Sequence, residues 1–246
     1  MVRLEIKNSS ELTNKEIASL NKICKAIYSE NPDNHITDNH INKTNPVFYL
    51  WKKDDSILAF QAYTLFYEKT PFSKKSLPIV YINLAYKNPS ADLEVKNFAK
   101  KSNLIFLKNH LGKFWFLKPF VLIFITNNPK IYDRLSKAIY KIYPNVKHIT
   151  PKNVLDFAKL LTSKKLKFED ARLSDNLIIE QDCYEKCEIT KAWSSFYESN
   201  NPAVNDLFIK NKAVIKRDDK YFLAEKAIFF IGHYNFWKKL LKRKSS

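Results

Sequence analysis

Residues 119–144 read PFVLIFITNNPKIYDRLSKAIYKIYP and contain the clearest fold signal in the chain. The uncharged apolar run from Phe120 to Thr126 predicts a strand buried on both faces. Asn127, Asn128 and Pro129 then lead directly into a helix, because asparagine caps helix starts and proline suits the first helical position. We expect this helix to run until Pro144 stops it. A buried strand followed at once by a helix indicates an α/β protein.

The residues before this stretch predict alternating strands and helices. Thr13 and Glu16 have the spacing of a capping box at the start of a helix, which follows a short first strand. Residues 30–45 and the basic stretch 69–75 are expected to be loops, and Ser90 is expected to cap a further helix. The predicted strands are 47–52, 57–67 and 77–86, and the predicted helix is 91–111. The order strand, helix, two strands, strand, helix, strand, helix predicts one mixed sheet with helices on its faces.

The composition narrows the classes of function. The 246 residues have a formal net charge of +17, so the chain should attract anionic partners such as nucleotides, nucleic acids or lipid surfaces. Only five of the 42 basic residues are arginine, the residue that nucleic-acid readers usually use for bidentate contacts. Only two glycines are present, which excludes a glycine-rich phosphate loop in its usual form.

The cysteines and the apolar runs point to a cytoplasmic protein. Three cysteines in a chain of this length argue against a disulfide framework and for a reducing compartment. Cys183 and Cys187 lack a second nearby Cys or His pair, so they are a poor zinc signal. We find no signal peptide and no run of about 18 uncharged apolar residues, so no transmembrane segment is expected.

The order of elements resembles that of the GNAT superfamily of acyl-CoA-dependent N-acyltransferases. Residues 119–144 are similar to the fifth strand and following helix of its larger members, where an Asn-Pro-x-x-Tyr stretch opens the helix. Residues 77–89 similarly resemble the fourth strand and its exit, and 203–208 show a weaker likeness. The resemblance implies a mixed, mostly antiparallel sheet flanked by helices. It further implies that residues 1–145 form the GNAT-like core and that 146–246 form a C-terminal extension completing the sheet and ending in a basic aromatic tail.

The same resemblance implies an acyl-CoA-dependent N-acyltransferase. Such an enzyme moves the acyl group of acetyl-CoA or another acyl-CoA to an amine acceptor, either a small molecule or a peptide. The fourth and fifth strands would part to hold the pantetheine arm, and backbone groups near Leu84 and Ala85 would meet the acyl carbonyl. The residues that the resemblance places at the cofactor are Leu84, Ala85, Tyr86, Asn88, Asn127 and Asn128.

The catalytic residues are less well defined by the resemblance. Tyr132 is the phenol nearest to the family's leaving-group acid, although it lies about one helical turn too early. Glu68 is the candidate general base by residue type, and Glu180 and His110 could serve by the same criterion.

The family's cofactor motif is absent from this chain. The motif has two spaced glycines after the fourth strand, whereas residues 88–95 contain none. Asp92 and Glu94 stand where a pyrophosphate would bind. The chain could therefore bind the cofactor differently, or it could be a catalytically inactive GNAT-fold scaffold.

The basic residues leave two further alternatives open. A nucleic-acid-associated protein would use Lys74-Lys75, Lys100-Lys101 and the basic tail. A peripheral membrane or interaction protein would use the aromatic and basic stretch 234–244.

One further pair of residues could bind an ion. His35 and His40 lie five residues apart in the polar segment 30–45, with Asp33 and Asp38 as the nearest helpers. These residues are too few for the sequence to predict a metal site.

Overall fold

The computed structural model describes residues 1–27, 33–91, 94–168, 173–180, 188–189, 197–217, 220–223 and 226–244, with the backbone alone at 188–189, 223 and 242–244. The chain divides into two compact units, which are described separately. The first unit contains Met1–Leu65 and Val80–Lys118, and the second contains Phe66–Ile79 and Pro119–Ser246. The predicted boundary near residue 145 remains a prediction. None of the helices in the described residues is long and apolar enough to cross a membrane.

The first unit combines antiparallel strands with two main helices. Its strands follow the order β1-β2-β3-β4, and β3 and β4 continue into the second unit. Polar residues alternate with apolar ones along β1, as expected for a strand with one exposed face. The elements are β1 (Val2–Asn8), α1 (Asn14–Ile27), α2 (Asn42–Thr44), β2 (Val47–Lys53), β3 (Ser56–Thr70), β4 (Ser73–Lys87) and α3 (Phe98–Leu111).

The start of α1 confirms the predicted capping box. The backbone N–H of Glu16 donates to the Thr13 hydroxyl over 3.2 Å, and the Thr13 N–H donates to the Glu16 carboxylate over 2.9 Å. The apolar face of α1 then packs Leu20 and Cys24 into a buried cluster with Phe60 of β3. Local capping and burial of one face therefore favour the same helix.

The second unit has a sheet whose central strand comes from near the end of the chain. β11 lies between β5 and β6 and pairs antiparallel with both, and β7 also pairs with β11. Three shorter strands form a separate sheet in the order β8-β10-β9. The elements are β5 (Phe120–Thr126), α4 (Pro129–Ala138), β6 (Lys141–Tyr143), α5 (Lys152–Leu160), β7 (Ile178–Glu180), β8 (Glu188–Ile189), α6 (Pro202–Lys210), β9 (Val214–Arg217), β10 (Lys220–Leu223), β11 (Lys226–Tyr234) and α7 (Phe236–Lys244).

The predicted fold class is confirmed: the protein is a mixed α/β fold with a mostly antiparallel sheet and flanking helices. The predicted loop at 69–75 is wrong, because β3 and β4 form a hairpin joined only by Pro71 and Phe72. In the second unit, Phe72 stacks on His233 at 4.9 Å between ring centroids and lies parallel to Tyr143 at 6.2 Å. Burying this aromatic side chain favours a tight turn over an open basic loop.

Two other predicted segments also differ. The 30–45 segment is not a plain loop, since residues 37–41 form a π-helical turn that continues into α2. Helix α4 ends at Ala138, and β6 replaces the last turn that was expected before Pro144.

We expect Gly232→Ala to destabilise the protein. A Cβ at this position would lie 2.6 Å from Cε1 of Phe230 and 3.1 Å from Cγ2 of Ile139. The Phe230 ring is fully buried and cannot move away cheaply, so overpacking should cost about 1–2 kcal/mol of unfolding free energy. Urea unfolding of the variant would measure this loss. An unchanged midpoint would show that the ring has room to shift.

Candidate functional site

The end of β4 positions three of the predicted cofactor residues in the first unit. The Leu84 side chain is buried in the apolar cluster under α1, and the partly buried Tyr86 packs against the same cluster. The Tyr86 ring lies 5.8 Å from that of Phe60. Ala85, which points to the other face of the strand, is exposed. The side chains of Leu84 and Tyr86 therefore stabilise the core, and a ligand at this strand would bind to their backbone groups.

Asn88 shapes the chain as it leaves β4. Its N–H donates to the Leu58 carbonyl over 2.8 Å, and its side-chain oxygen accepts from the N–H and hydroxyl of Ser90 at 3.1 and 2.9 Å. This is an asparagine turn in which Ser90 donates to Asn88. The expected Ser90 cap is wrong, because residues 89–91 form a short turn and α3 begins only at Phe98.

The first turn of α3 has an unusual start. Asn97 precedes it in the left-handed conformation, with φ 61° and ψ 22°, and its side chain makes no capping hydrogen bond. Asparagine tolerates this conformation better than other non-glycine residues, so Asn97 makes a turn that would otherwise favour glycine. Among the described residues, no group accepts from the backbone N–H groups of Ala99 and Lys100. These donors are available to a ligand.

The charge around this helix start is positive. Lys100 and Lys101 are exposed in the first turn, which contains no acidic residue. The Lys101 ammonium lies 5.6 Å from the centre of the Trp51 ring, and the Trp51 indole N–H donates to the Ser102 hydroxyl over 2.9 Å. These contacts anchor the start of α3 to β2. Basic side chains, unpaired N–H groups and the positive end of the helix dipole all favour an anion here.

The acidic residues near the helix start have less effect than the sequence suggests. The Glu94 carboxylate pairs with the Lys53 ammonium at 2.8 Å, and this hydrogen bond raises the pKa of Lys53. The charge of Glu94 is therefore offset by a lysine from β2. Asp92 lies outside the described residues.

The other two predicted cofactor residues lie at the β5–α4 junction of the second unit. The Asn127 side chain is buried and donates to the Lys226 carbonyl over 2.9 Å and to the Ala213 carbonyl over 3.4 Å. The Asn128 side chain caps α4 by accepting from the N–H groups of Lys130 and Ile131 at 3.0 and 3.2 Å. Both asparagines thus have structural partners, and their contact with a cofactor stays a prediction.

Tyr132 lies deep in the second unit. It is 1% exposed, and its ring contacts those of Phe208 and Phe230 edge-on at 5.8 and 5.4 Å. Its hydroxyl donates to the carbonyl of Pro144. Burial raises the pKa of this phenol, with a smaller contribution from the charge of Asp133. In this geometry the hydroxyl proton is already donated to the Pro144 carbonyl. The role of Tyr132 as the acid that protonates the leaving thiolate remains a prediction.

Glu68, the predicted base, lies on the hairpin segment of the second unit. Its carboxylate accepts from the Lys69 N–H over 3.1 Å and pairs with Lys165 at 3.2 Å. The backbone hydrogen bond from Lys69, followed by that from Lys165, lowers the pKa of Glu68. A carboxylate held in this way is a weaker base than an unpaired one.

The remaining candidates have structural surroundings. His110 packs on Phe106 with 4.4 Å between ring centroids, and burial lowers its pKa. Glu180 pairs with Lys226 at 3.5 Å. Cys24 is buried, which raises the pKa of its thiol. Cys183 and Cys187 lie outside the described residues.

The basic tail forms helix α7, on which Trp237 is 58% exposed and Leu241 is 67% exposed. Binding of this helix to a lipid surface or to nucleic acid stays a prediction. Lys74 and Lys75 are also exposed, but they lie in strand β4 instead of a loop.

The chain is similar to several solved protein structures over part of its length. No protein-family model and no curated protein matches the chain. Among solved structures, ElaA from Escherichia coli is 14% identical with a TM-score of 0.35, and the match covers 62% of this chain and 93% of that chain. An acyl-CoA N-acyltransferase from Pseudomonas aeruginosa is 12% identical with a TM-score of 0.37, covering 55% and 83% respectively. An aminoglycoside N-acetyltransferase in complex with CoA is 12% identical with a TM-score of 0.34, covering 46% and 73%. At such values the chemistry of this chain has to come from its own residues.

Proposed function

We propose that the protein is an acyl-CoA-dependent N-acyltransferase that holds the diphosphate of the cofactor at the start of α3. The observation that supports this most is the left-handed, uncapped Asn97, which leaves the N–H groups of Ala99 and Lys100 without an acceptor among the described residues. A helix start with unpaired donors and basic side chains is a favourable site for phosphate oxygens. Asn97 provides here the backbone turn that glycines provide in the family's motif.

The transfer itself needs little covalent help from the protein. The acceptor amine attacks the carbonyl carbon of the thioester, the carbon–sulfur bond breaks, and CoA leaves as a thiolate while the amine proton passes to solvent or a base. The backbone N–H of exposed Ala85 is the proposed donor to the developing oxyanion. Positioning and oxyanion stabilisation then supply most of the rate, since Tyr132 and Glu68 already have partners.

Lys100→Glu tests this site. Reversing the charge next to a bound diphosphate should weaken CoA binding by about tenfold or more, which corresponds to about 1.4 kcal/mol. An acidic residue in the first turn of a helix favours the helix dipole, so the variant should keep its fold. Isothermal titration with acetyl-CoA, longer acyl-CoAs and free CoA would measure the effect.

Lys108→Glu is the matched control, because Lys108 is an exposed lysine near the other end of the same helix. We expect it to change the dissociation constant by less than twofold. If both variants lose the same affinity for CoA, the effect of Lys100→Glu comes from general charge attraction and not from a specific site. If neither CoA nor any acyl-CoA binds the unmodified protein, the proposal is wrong. Binding without transfer to any amine would instead indicate a catalytically inactive scaffold.

A further inference from the structure

Two histidines of the first unit face each other across a π-helical turn. Residues 37–41 form this turn, in which the N–H of Asn42 donates to the carbonyl of Thr37 five residues earlier. Such a turn brings residues five apart onto one face, and π-helical turns are frequent at functional sites. His40 lies in this turn and His35 lies two residues before it, so the two histidines are five residues apart. Their ring centroids lie 5.1 Å apart, and the rings are inclined at 73°.

The Nε2 atoms of the two imidazole rings face each other. Nε2 of His35 and Nε2 of His40 are 3.4 Å apart. This is longer than the roughly 2.7–3.2 Å typical of N–H hydrogen bonds in proteins, so a direct bond between the rings is weak. Two imidazole nitrogens at about 2.0–2.1 Å from one tetrahedral Zn²⁺ ion would lie about 3.4 Å apart. The observed separation therefore suits a shared ion.

Burial and a neighbouring amide orient the His35 ring. His35 is 3% exposed, so its ring is held on all sides by protein atoms. Nδ1 of His35 lies 3.2 Å from the Asn39 amide, whose orientation could be reversed to accept a hydrogen bond. An imidazole oriented through its other nitrogen is pre-organised to bind a metal ion.

The polar atoms near His40 also fit a ligand. Nδ1 of His40 is buried and has no hydrogen-bond partner among the described residues. Asn83 is held in place by the hydroxyl of Thr44, which donates to its oxygen over 2.6 Å, and by its own N–H, which donates to Thr64 over 2.9 Å. When Nε2 binds an ion, Nδ1 carries the proton and needs an acceptor. The Asn83 oxygen is the candidate for that role.

We propose that His35 and His40 bind a borderline divalent transition-metal ion such as Zn²⁺ through their Nε2 atoms. No group of three or more His, Cys, Asp and Glu side chains suited to a metal occurs in the described residues, so water would complete the coordination sphere. An ion with two protein ligands keeps open positions for an external ligand, whereas a structural zinc site with four protein ligands keeps none.

Isothermal titration with Zn²⁺ tests the site, with Mg²⁺ as the hard cation that prefers oxygen ligands. We expect one Zn²⁺ per chain and no binding of Mg²⁺. His40→Gln should weaken Zn²⁺ binding by at least tenfold, whereas His148→Asn, which removes an exposed histidine, should leave it unchanged. Equal weakening by both variants, or an unmodified protein that does not bind Zn²⁺, would overturn the proposal.

A measurement on the unmodified protein keeps the test independent of whether His40→Gln folds. The imidazole nitrogen resonances of the five histidines can be followed by NMR as Zn²⁺ is added. We expect the Nε2 signals of His35 and His40 to shift together at one equivalent. Shifts confined to His110 or His148 would place the ion at the surface and refute the assignment.

Discussion

Phe230→Ala should reduce the unfolding free energy by about 3–5 kcal/mol, the range for phenylalanine removed from a packed core. Phe230 is fully buried in β11, the strand between β5 and β6. Its ring stacks on Phe124 at 4.3 Å and meets Tyr132 edge-on at 5.4 Å. Alanine would remove both aromatic contacts and leave a cavity that the close-packed strands cannot fill.

Urea unfolding followed by circular dichroism would measure this loss. Phe114→Ala is the matched control, because Phe114 is 60% exposed and its removal should change stability by no more than about 0.5 kcal/mol. A loss below about 1.5 kcal/mol in Phe230→Ala would show that the second unit can collapse around the missing ring.

Glu16→Gln is expected to cost about 2–3 kcal/mol at neutral pH. Glu16 lies in a network in which the Lys52 ammonium contacts Glu16 at 2.6 Å and Glu5 at 2.7 Å, while Lys7 contacts Glu16 at 2.8 Å. The side chains of Lys52 and Glu16 are only 9% and 12% exposed, so the lysine depends on its partners. Breaking a buried pair leaves an uncompensated charge, although the partly exposed Glu5 moderates the cost. Glutamine can still accept from Thr13, so the cap is preserved.

The pH dependence of stability separates the contribution of the Glu16 charge from that of packing. Burial tends to raise the pKa of Glu16, but hydrogen bonds from Lys52, Lys7 and Thr13 outweigh it and lower this pKa from 4.5 to about 2. A depressed folded-state pKa means that the stabilisation is present above about pH 4.5 and is lost as the pH falls towards 2. The difference between the unmodified protein and Glu16→Gln should therefore shrink over that range.

Thermal melts between pH 2 and pH 7 would show this convergence. Asp55→Asn, which neutralises an exposed carboxylate in the β2–β3 turn, should give a curve close to that of the unmodified protein. A Glu16→Gln curve that stays parallel to the unmodified one down to pH 2 would mean that the loss comes from packing and not from charge.

The sequence correctly predicted those elements whose structure depends on residues close together in the chain. The capping box of Thr13 and Glu16 and the cap of α4 by Asn128 both occur as expected, because each depends on residues within one turn. The buried strand β5 was equally clear from its uncharged composition. The β3–β4 hairpin was missed, because its turn contains no glycine and its lysines lie on strand faces. Packing of Phe72 on residues distant in sequence decided that turn.

The features of the candidate site that were missed depend on contacts far apart in the chain or on backbone conformation. The sequence predicts that Glu94 opposes a bound anion, but its carboxylate pairs with the Lys53 ammonium, and nothing local in the sequence indicates that pair. The left-handed turn at Asn97 had only one signal, an asparagine directly before a helix-forming run. The π-turn that aligns His35 and His40 has no recognised sequence signature, although the spacing of the two histidines was visible.

Neither compact unit consists of one continuous stretch of the chain. The segment Phe66–Ile79 belongs to the second unit although it is synthesised before the last part of the first. A fragment starting at Pro119 would lack the Phe72 ring that covers His233, and a fragment ending at Lys118 would carry that ring without its partners. Expressing the two units separately therefore requires Leu65 to be linked to Val80 in the first and the segment Phe66–Ile79 to be grafted before Pro119 in the second, because simple truncation would expose apolar surface in both products.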